Sequence, residues 1–144
     1  MGKVSIVYWS GTGNTEAMAD AMAEGAKDAG AEVELLTVDR ADAAALSEAK
    51  AFALGCPAMG AEVLEEGEME PFMAELDSQI AGKTIALFGS YGWGGGEWMR
   101  DWESRVAADG AAVLSGEGII ADNAPDDDVL AECRAAGAKL AALV

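Results

Sequence analysis

The sequence predicts an α/β domain built on a doubly wound, five-stranded parallel sheet, with helices on both faces in three α/β/α layers. Two observations carry this. Apolar, β-branched segments alternate with helix-compatible ones along 144 residues, and strand–helix alternation implies βαβ units with parallel pairing. The turns that follow the strands are rich in Gly, Ser, Thr and Asn, as the ligand-bearing carboxyl ends of such sheets are. The length suits one domain, 1–144, with a sizeable core.

Each element has its own signal. "KVSIVYW" (3–9) is β-branched and aromatic and reads as a buried strand. Residues 14–29, rich in Ala, Met and Glu and closed by Gly30, read as a helix. "EVELLTV" (32–38) is a second strand, followed by an Asp/Ala-rich stretch with the character of a short helix. "AKAFALGCP" (49–57) is a third strand, and Pro71 marks the first turn of a helix reaching Gln79. "KTIALFGS" (83–90) is the fourth strand, and "YGWGGG" leads into a helix over 97–108. "AAVLSGEGIIA" holds a fifth strand with an interruption around Gly116, and residues 126–143 form the last helix.

Composition narrows the chemistry. Apolar residues make up 51% of the chain, too many for disorder. No apolar run approaches the ~20 residues of a membrane span. The N-terminal segment lacks the pattern of a signal peptide, and Ile6 stands where a myristoylation motif needs Ser or Thr. The expected location is cytoplasmic. Cys56 and Cys133 are far apart in sequence and are expected as buried free thiols. With no histidine, triad and zinc chemistry lose their usual residue. A net charge of −17 argues against nucleic acid, whose phosphates it would repel. An anion bound by such a chain must be held by dipoles.

"IVYWSGTGNTEAMADAM" (6–22) supplies them. Between strand and helix stand Ser10, Gly11, Thr12, Gly13, Asn14 and Thr15. The unpaired N–H groups of a helix N-terminus, glycines that admit close approach, and three hydroxyls together make an anion site, best suited to a phosphate. A plain capped turn, with Asn14 or Thr15 serving only the helix, is the competing reading. No lysine lies between Lys3 and Lys27, which excludes a nucleoside-triphosphate P-loop. Glu16 occupies the third glycine position of a dinucleotide fingerprint, which excludes that motif too.

Four segments, "YWSGTGNT", "LGCPAMGAEVLEE", "GSYGWGGGEWM" and "DNAPDD", resemble the cofactor segments of short-chain, clostridial-type bacterial flavodoxins. The resemblance runs in order and in register over essentially the whole chain. It implies strand order 2-1-3-4-5 and a non-covalently bound FMN. It places the phosphate on Ser10–Thr15 and Ser90. It implies further contacts from Pro57, Ala58, Met59, Gly60, Ala61 and Glu62, from Tyr91, Gly92, Trp93 and Gly94, and from Asn123. The flavin ring would lie between Met59 and Trp93, a thioether and an aromatic face suited to a flat π system. A core tryptophan is the other reading of Trp93, opposed by its glycine-rich flanks. Trp98 and Trp102, at i and i+4 of a helix, read as core.

By the same resemblance, Met59-Gly60-Ala61-Glu62 is a redox-responsive turn. Gly60 would turn its carbonyl toward flavin N5 on one-electron reduction, at a position where positive φ costs glycine nothing. Glu62 would accept a hydrogen bond from flavin N3, whereas Glu65, Glu66 and Glu68 read as solvated carboxylates. A simple turn role competes at Asn123. Pro57 brings no hydroxyl where some relatives have serine, and Ala61 replaces a polar or acidic residue.

The implied function is a low-potential one-electron carrier, shuttling between semiquinone and hydroquinone, and not an enzyme. Each carboxylate at ~13 Å, with an effective ε of about 40, would disfavour an anionic reduced flavin by roughly 0.6 kcal/mol. About 1.4 kcal/mol corresponds to roughly 60 mV for one electron, so several acids shift a potential by on the order of 100 mV. The implied partners are redox proteins with basic docking patches, such as ferredoxin-type oxidoreductases and reductases, met by a monomer. An FMN-dependent quinone or nitro reductase on the same scaffold is the main alternative. A receiver domain would need an acidic cluster where Ser10 and Gly11 stand.

Overall fold

The structure, a computed structural model, describes residues 2–144 apart from Ala61 and Trp93. Its order is β1 (Lys3–Tyr8), α1 (Asn14–Asp28), β2 (Glu32–Thr37), α2 (Ala43–Leu46), β3 (Ala51–Gly55), α3 (Met69–Leu76), β4 (Thr84–Tyr91), α4 (Glu97–Ala108), β5 (Ala112–Val113), β6 (Ile119–Asp122) and α5 (Asp127–Leu143). All strand pairs named here are parallel, in order β2-β1-β3-β4-β5, with β6 also on β4. This is the expected doubly wound sheet.

The central strands are continuous apolar runs because both of their faces are covered. β3 is buried throughout, whereas the edge strand β2 puts Glu32 and Thr37 in solvent. Successive side chains alternate between two cores. Val7, Phe52, Leu54, Ile85 and Leu87 pack with α3 and α4 on one face. Ile6, Ala53, Ala86 and Phe88 pack with α1 and α5 on the other. Helices α1 and α5 touch backbone to backbone. A Cβ at Gly25 would collide with the Arg134 carbonyl, and one at Gly137 with that of Met22. That contact fixes the helix whose N-terminus carries the first loop.

The fifth sheet position is filled by two short strands. β5 pairs with Thr84 and Ile85, and β6 with Phe88 to Tyr91. Between them Ser115 and Gly116 turn at φ +63 and +85, so the break expected near Gly116 is present. α3 begins at Met69, two residues before the expected start, with Pro71 still inside the first turn, where its missing N–H is not needed. The cause is Glu65. Its carboxylate accepts the N–H groups of Gly67, Glu68 and Met69 at 2.8, 2.7 and 3.0 Å. Burial pushes this carboxyl up, but those three bonds outweigh it and hold Glu65 below the usual carboxylate range. Glu65 is a helix cap, not the solvated carboxylate its sequence context suggests. Trp98 and Trp102 are buried in the core as expected, their indole N–H groups on Cys56 O (3.0 Å) and Met73 Sδ (3.4 Å).

Candidate cofactor site

The loops after β1, β3, β4 and β6 meet at one end of the sheet, around a groove of about 240 Å³. From the first loop it takes Gly11, Thr12 and Asn14, from the second Pro57, Ala58 and Met59. The third contributes Ser90, Tyr91 and Gly92, and the fourth Asn123. Four segments distant in sequence thus converge as expected. Ser10, Gly13, Thr15, Gly60, Glu62 and Gly94 lie outside the lining. Ala61 and Trp93 fall outside the described residues. Trp9 is an addition: it follows β1, lines the groove and closes over Gly11, where a Cβ would stand 3.2 Å from its ring. Its place at a strand's carboxyl end is the signal for this, but the apolar run through residue 9 gives it the look of the strand's last residue, whereas β1 ends at Tyr8.

In the first loop, Gly13 is the N-cap of α1 at φ +95 and no side chain caps the helix from that position. Ser10 does so from further back. Its Oγ accepts the N–H groups of Gly13 at 3.2 Å and Glu16 at 3.3 Å. Thr15 is buried, and its Oγ1 accepts the Ser90 N–H at 3.3 Å. Ser90, buried in turn, donates its hydroxyl to the Asn123 carbonyl at 2.9 Å. A chain of bonds therefore runs Thr15–Ser90–Asn123 and joins three of the converging segments. The reading in which Asn14 or Thr15 caps the helix is set aside, because Thr15 serves the β4 backbone.

The second loop is a tight turn closed by two bonds, Met59 N to Val63 O (2.9 Å) and Val63 N to Met59 O (3.0 Å). Gly60, the turn's second residue, has positive φ, +47. Glu62 also has positive φ, +57, which the sequence does not announce. Its Oε1 accepts the Glu97 N–H at 3.0 Å, at the start of α4. Asn123 has φ +60, bonds Tyr91 O through its N–H at 2.7 Å, and lines the groove.

Cys56 and Cys133 are buried and free, as expected. Burial pushes the Cys56 thiol up to about 12, so next to the groove it is a packing group and not a thiolate. Tyr8 donates to Glu16 Oε2 at 3.3 Å. Its phenol is pushed up first by burial, then by the Glu16 charge.

The sequence pattern of the family described as "Flavodoxin" matches residues 6–137. The chain belongs to the flavodoxin family. It is 48% identical to a flavodoxin of Clostridium beijerinckii over 124 residues, 86% of this chain and 89% of that protein. It is 47% identical to a flavodoxin of Megasphaera elsdenii over 135 residues, 92% and 98% of the two chains. Among solved structures, that of two-electron reduced Megasphaera elsdenii flavodoxin superposes with a TM-score of 0.86 at 45% identity, covering 94% of this chain and 98% of that one. Flavodoxins are FMN-binding electron-transfer proteins, and as a member this chain is a carrier rather than an enzyme. No helix among the described residues is long and apolar enough to cross a membrane.

Proposed function

We propose that the chain is a low-potential, one-electron carrier whose FMN phosphate sits in the 10–15 loop and whose flavin ring lies between the 57–62 turn and the 90–94 loop. One observation carries the assignment: two backbone N–H groups of the α1 N-terminus converge on a single oxygen, Ser10 Oγ. A phosphate oxygen in its place would take the same two donors and free the Ser10 hydroxyl to become a third. The donors are neutral, as an acidic chain without local cations requires. FMN, when bound, supplies the electron-accepting ring.

The protein's residues do the rest. Gly11 and Gly92 leave room at the wall, and Pro57, Ala58 and Met59 provide an apolar lining. The groove, about 240 Å³, falls below the roughly 300–1,000 Å³ of pockets that bury most of a drug-sized ligand. An edge of the cofactor would stay at the surface, which suits electron exchange with another protein. The net charge of −17 favours partners with basic docking patches, ferredoxin-type oxidoreductases and reductases among them, and the chain would meet them as a monomer.

An anaerobic reductive titration with visible absorption tests this reading. Uptake of FMN and two separated one-electron steps are expected. A single two-electron bleaching would move the assignment to a quinone or nitro reductase, and failure to take up FMN would remove both.

A further inference from the structure

The bond made by the Glu62 carboxylate is not explained by a role as a cofactor ligand. Oε1 accepts the Glu97 N–H at 3.0 Å, joining positions 35 residues apart. Several features converge on it. Glu62 adopts φ +57, a backbone region disfavoured for a residue with a Cβ. The Met59–Val63 pair of bonds closes the turn that holds it there. Gly94, at φ +81, leaves the space the carboxylate needs, since a Cβ there would stand 2.6–2.8 Å from its atoms. At the other end, α4 starts after Gly96, which has no side chain to cap it. Glu97 therefore presents an N–H with no intrahelical partner, at the positive end of the helix dipole.

We propose that Glu62 is a positioning residue: through Glu97 it ties the 59–63 turn to the N-terminus of α4 in the free protein, so that this rim of the cofactor site is assembled before FMN arrives. The proposal rests on the FMN reading above. A carboxylate accepts at both oxygens, and with Oε1 committed to α4, Oε2 remains for a second donor. A carboxylate already held by its first bond is ordered at less cost when it makes the second. Without the link, turn and helix would have to come together after FMN binds, and association would include a conformational step.

The test compares wild type with Glu62→Ala and Glu62→Gln, the latter keeping an oxygen acceptor. Amide hydrogen exchange is followed on the FMN-free protein, and FMN association by stopped flow. In wild type the Glu97 amide is expected to be protected. In Glu62→Ala its exchange should rise about tenfold or more and FMN association should slow severalfold, with Glu62→Gln restoring both. An unprotected Glu97 amide in wild type, which needs no variant to fold, would overturn the proposal. So would a Glu62→Ala protein that loses FMN only through faster dissociation, with unaltered Glu97 exchange, because that is a direct contact alone. If wild type takes up no FMN, the carrier reading and the positioning role fall together, while the exchange data still report whether the link exists.

Discussion

The two ends of the groove are made differently. At the first loop the donors are backbone N–H groups of a helix whose position is fixed by backbone contact with α5, and the loop is pinned to the sheet through Thr15, Ser90 and Asn123. At the second loop the turn carries two positive-φ residues and is held by the Met59–Val63 pair of backbone bonds and one side-chain bond to α4. Helix N–H groups cannot be redirected without unwinding a turn of helix. The turn instead depends on left-handed backbone, which costs a residue with a Cβ, as at Glu62, roughly 1–2 kcal/mol. The same groove thus joins an anchor built on a helix N-terminus to a rim built on a turn.

Thr15→Val would attack the anchor and should have the largest effect. The substitution keeps shape and removes the acceptor of the Ser90 N–H, in a site where Thr15 is 1% exposed. A buried donor left without a partner costs about 1–3 kcal/mol. Urea unfolding of the FMN-free protein should show that loss, and FMN should bind more weakly because Ser90 and the first loop are no longer tied. Unchanged stability would mean that the anchor is held by the helix alone.

Gly60→Val would attack the rim. A Cβ there meets no atom within 4 Å, so the cost comes from φ +47 and not from a clash. A loss of about 1–2 kcal/mol is expected, the low end of what Thr15→Val removes. In the redox titration the two one-electron steps should draw closer together, while phosphate-end affinity, probed with inorganic phosphate as a competitor, stays at the wild-type value. Equal damage at both ends would erase the distinction between anchor and rim.

Much of this was legible in the sequence, for reasons that differ by element. Helix α4 and the first loop could be read directly, because periodicity and a run of glycines and hydroxyls are local properties. The convergence of the four loops was legible through the family resemblance. What could not be read were bonds between segments far apart. Glu65 looks like one of several acids, yet it caps α3, because only the folded turn brings three N–H groups around its carboxylate. The resemblance assigns Glu62 and Ser90 to the cofactor, while their bonds to Glu97 and Asn123 depend on how the α4 start and the β6 loop lie in space. Trp9 was hidden by a strand ending one residue earlier than its apolar run.

The smallest expected effect lies toward the far end of α4, where Arg105 and Asp109 stand about 12 and 18 Å along the helix from Glu97. There Arg105 forks onto Asp77, with Nε at 3.1 Å from Oδ1 and Nη2 at 2.7 Å from Oδ2, and reaches Glu70 at 2.8 Å. Asp109 Oδ2 is buried and finds no hydrogen-bond partner among the described residues. A proton on it, directed toward Asp77, would supply the missing donor. Burial first, and Asp77 second, push Asp109 up to about 6. Its folded value is thus above its ordinary one, so its contribution to stability is complete below the ordinary carboxyl range and is lost as pH rises through about 6. Asp77 runs the other way. Burial raises it, the Arg105 bonds outweigh burial and hold it low, and its contribution is lost as pH falls through that lowered value. Asp109→Asn keeps a donor toward Asp77 and removes the titration. The fall in stability between about pH 4 and 6 should flatten in thermal melts, by the same amount with and without FMN, because among the described residues the cluster shares no hydrogen bond with the anchor or the 59–63 turn. A flattening seen only in the FMN-loaded protein would show that α4 carries the far cluster's charge state to the rim through Glu97, and the rim could then no longer be treated as a local device.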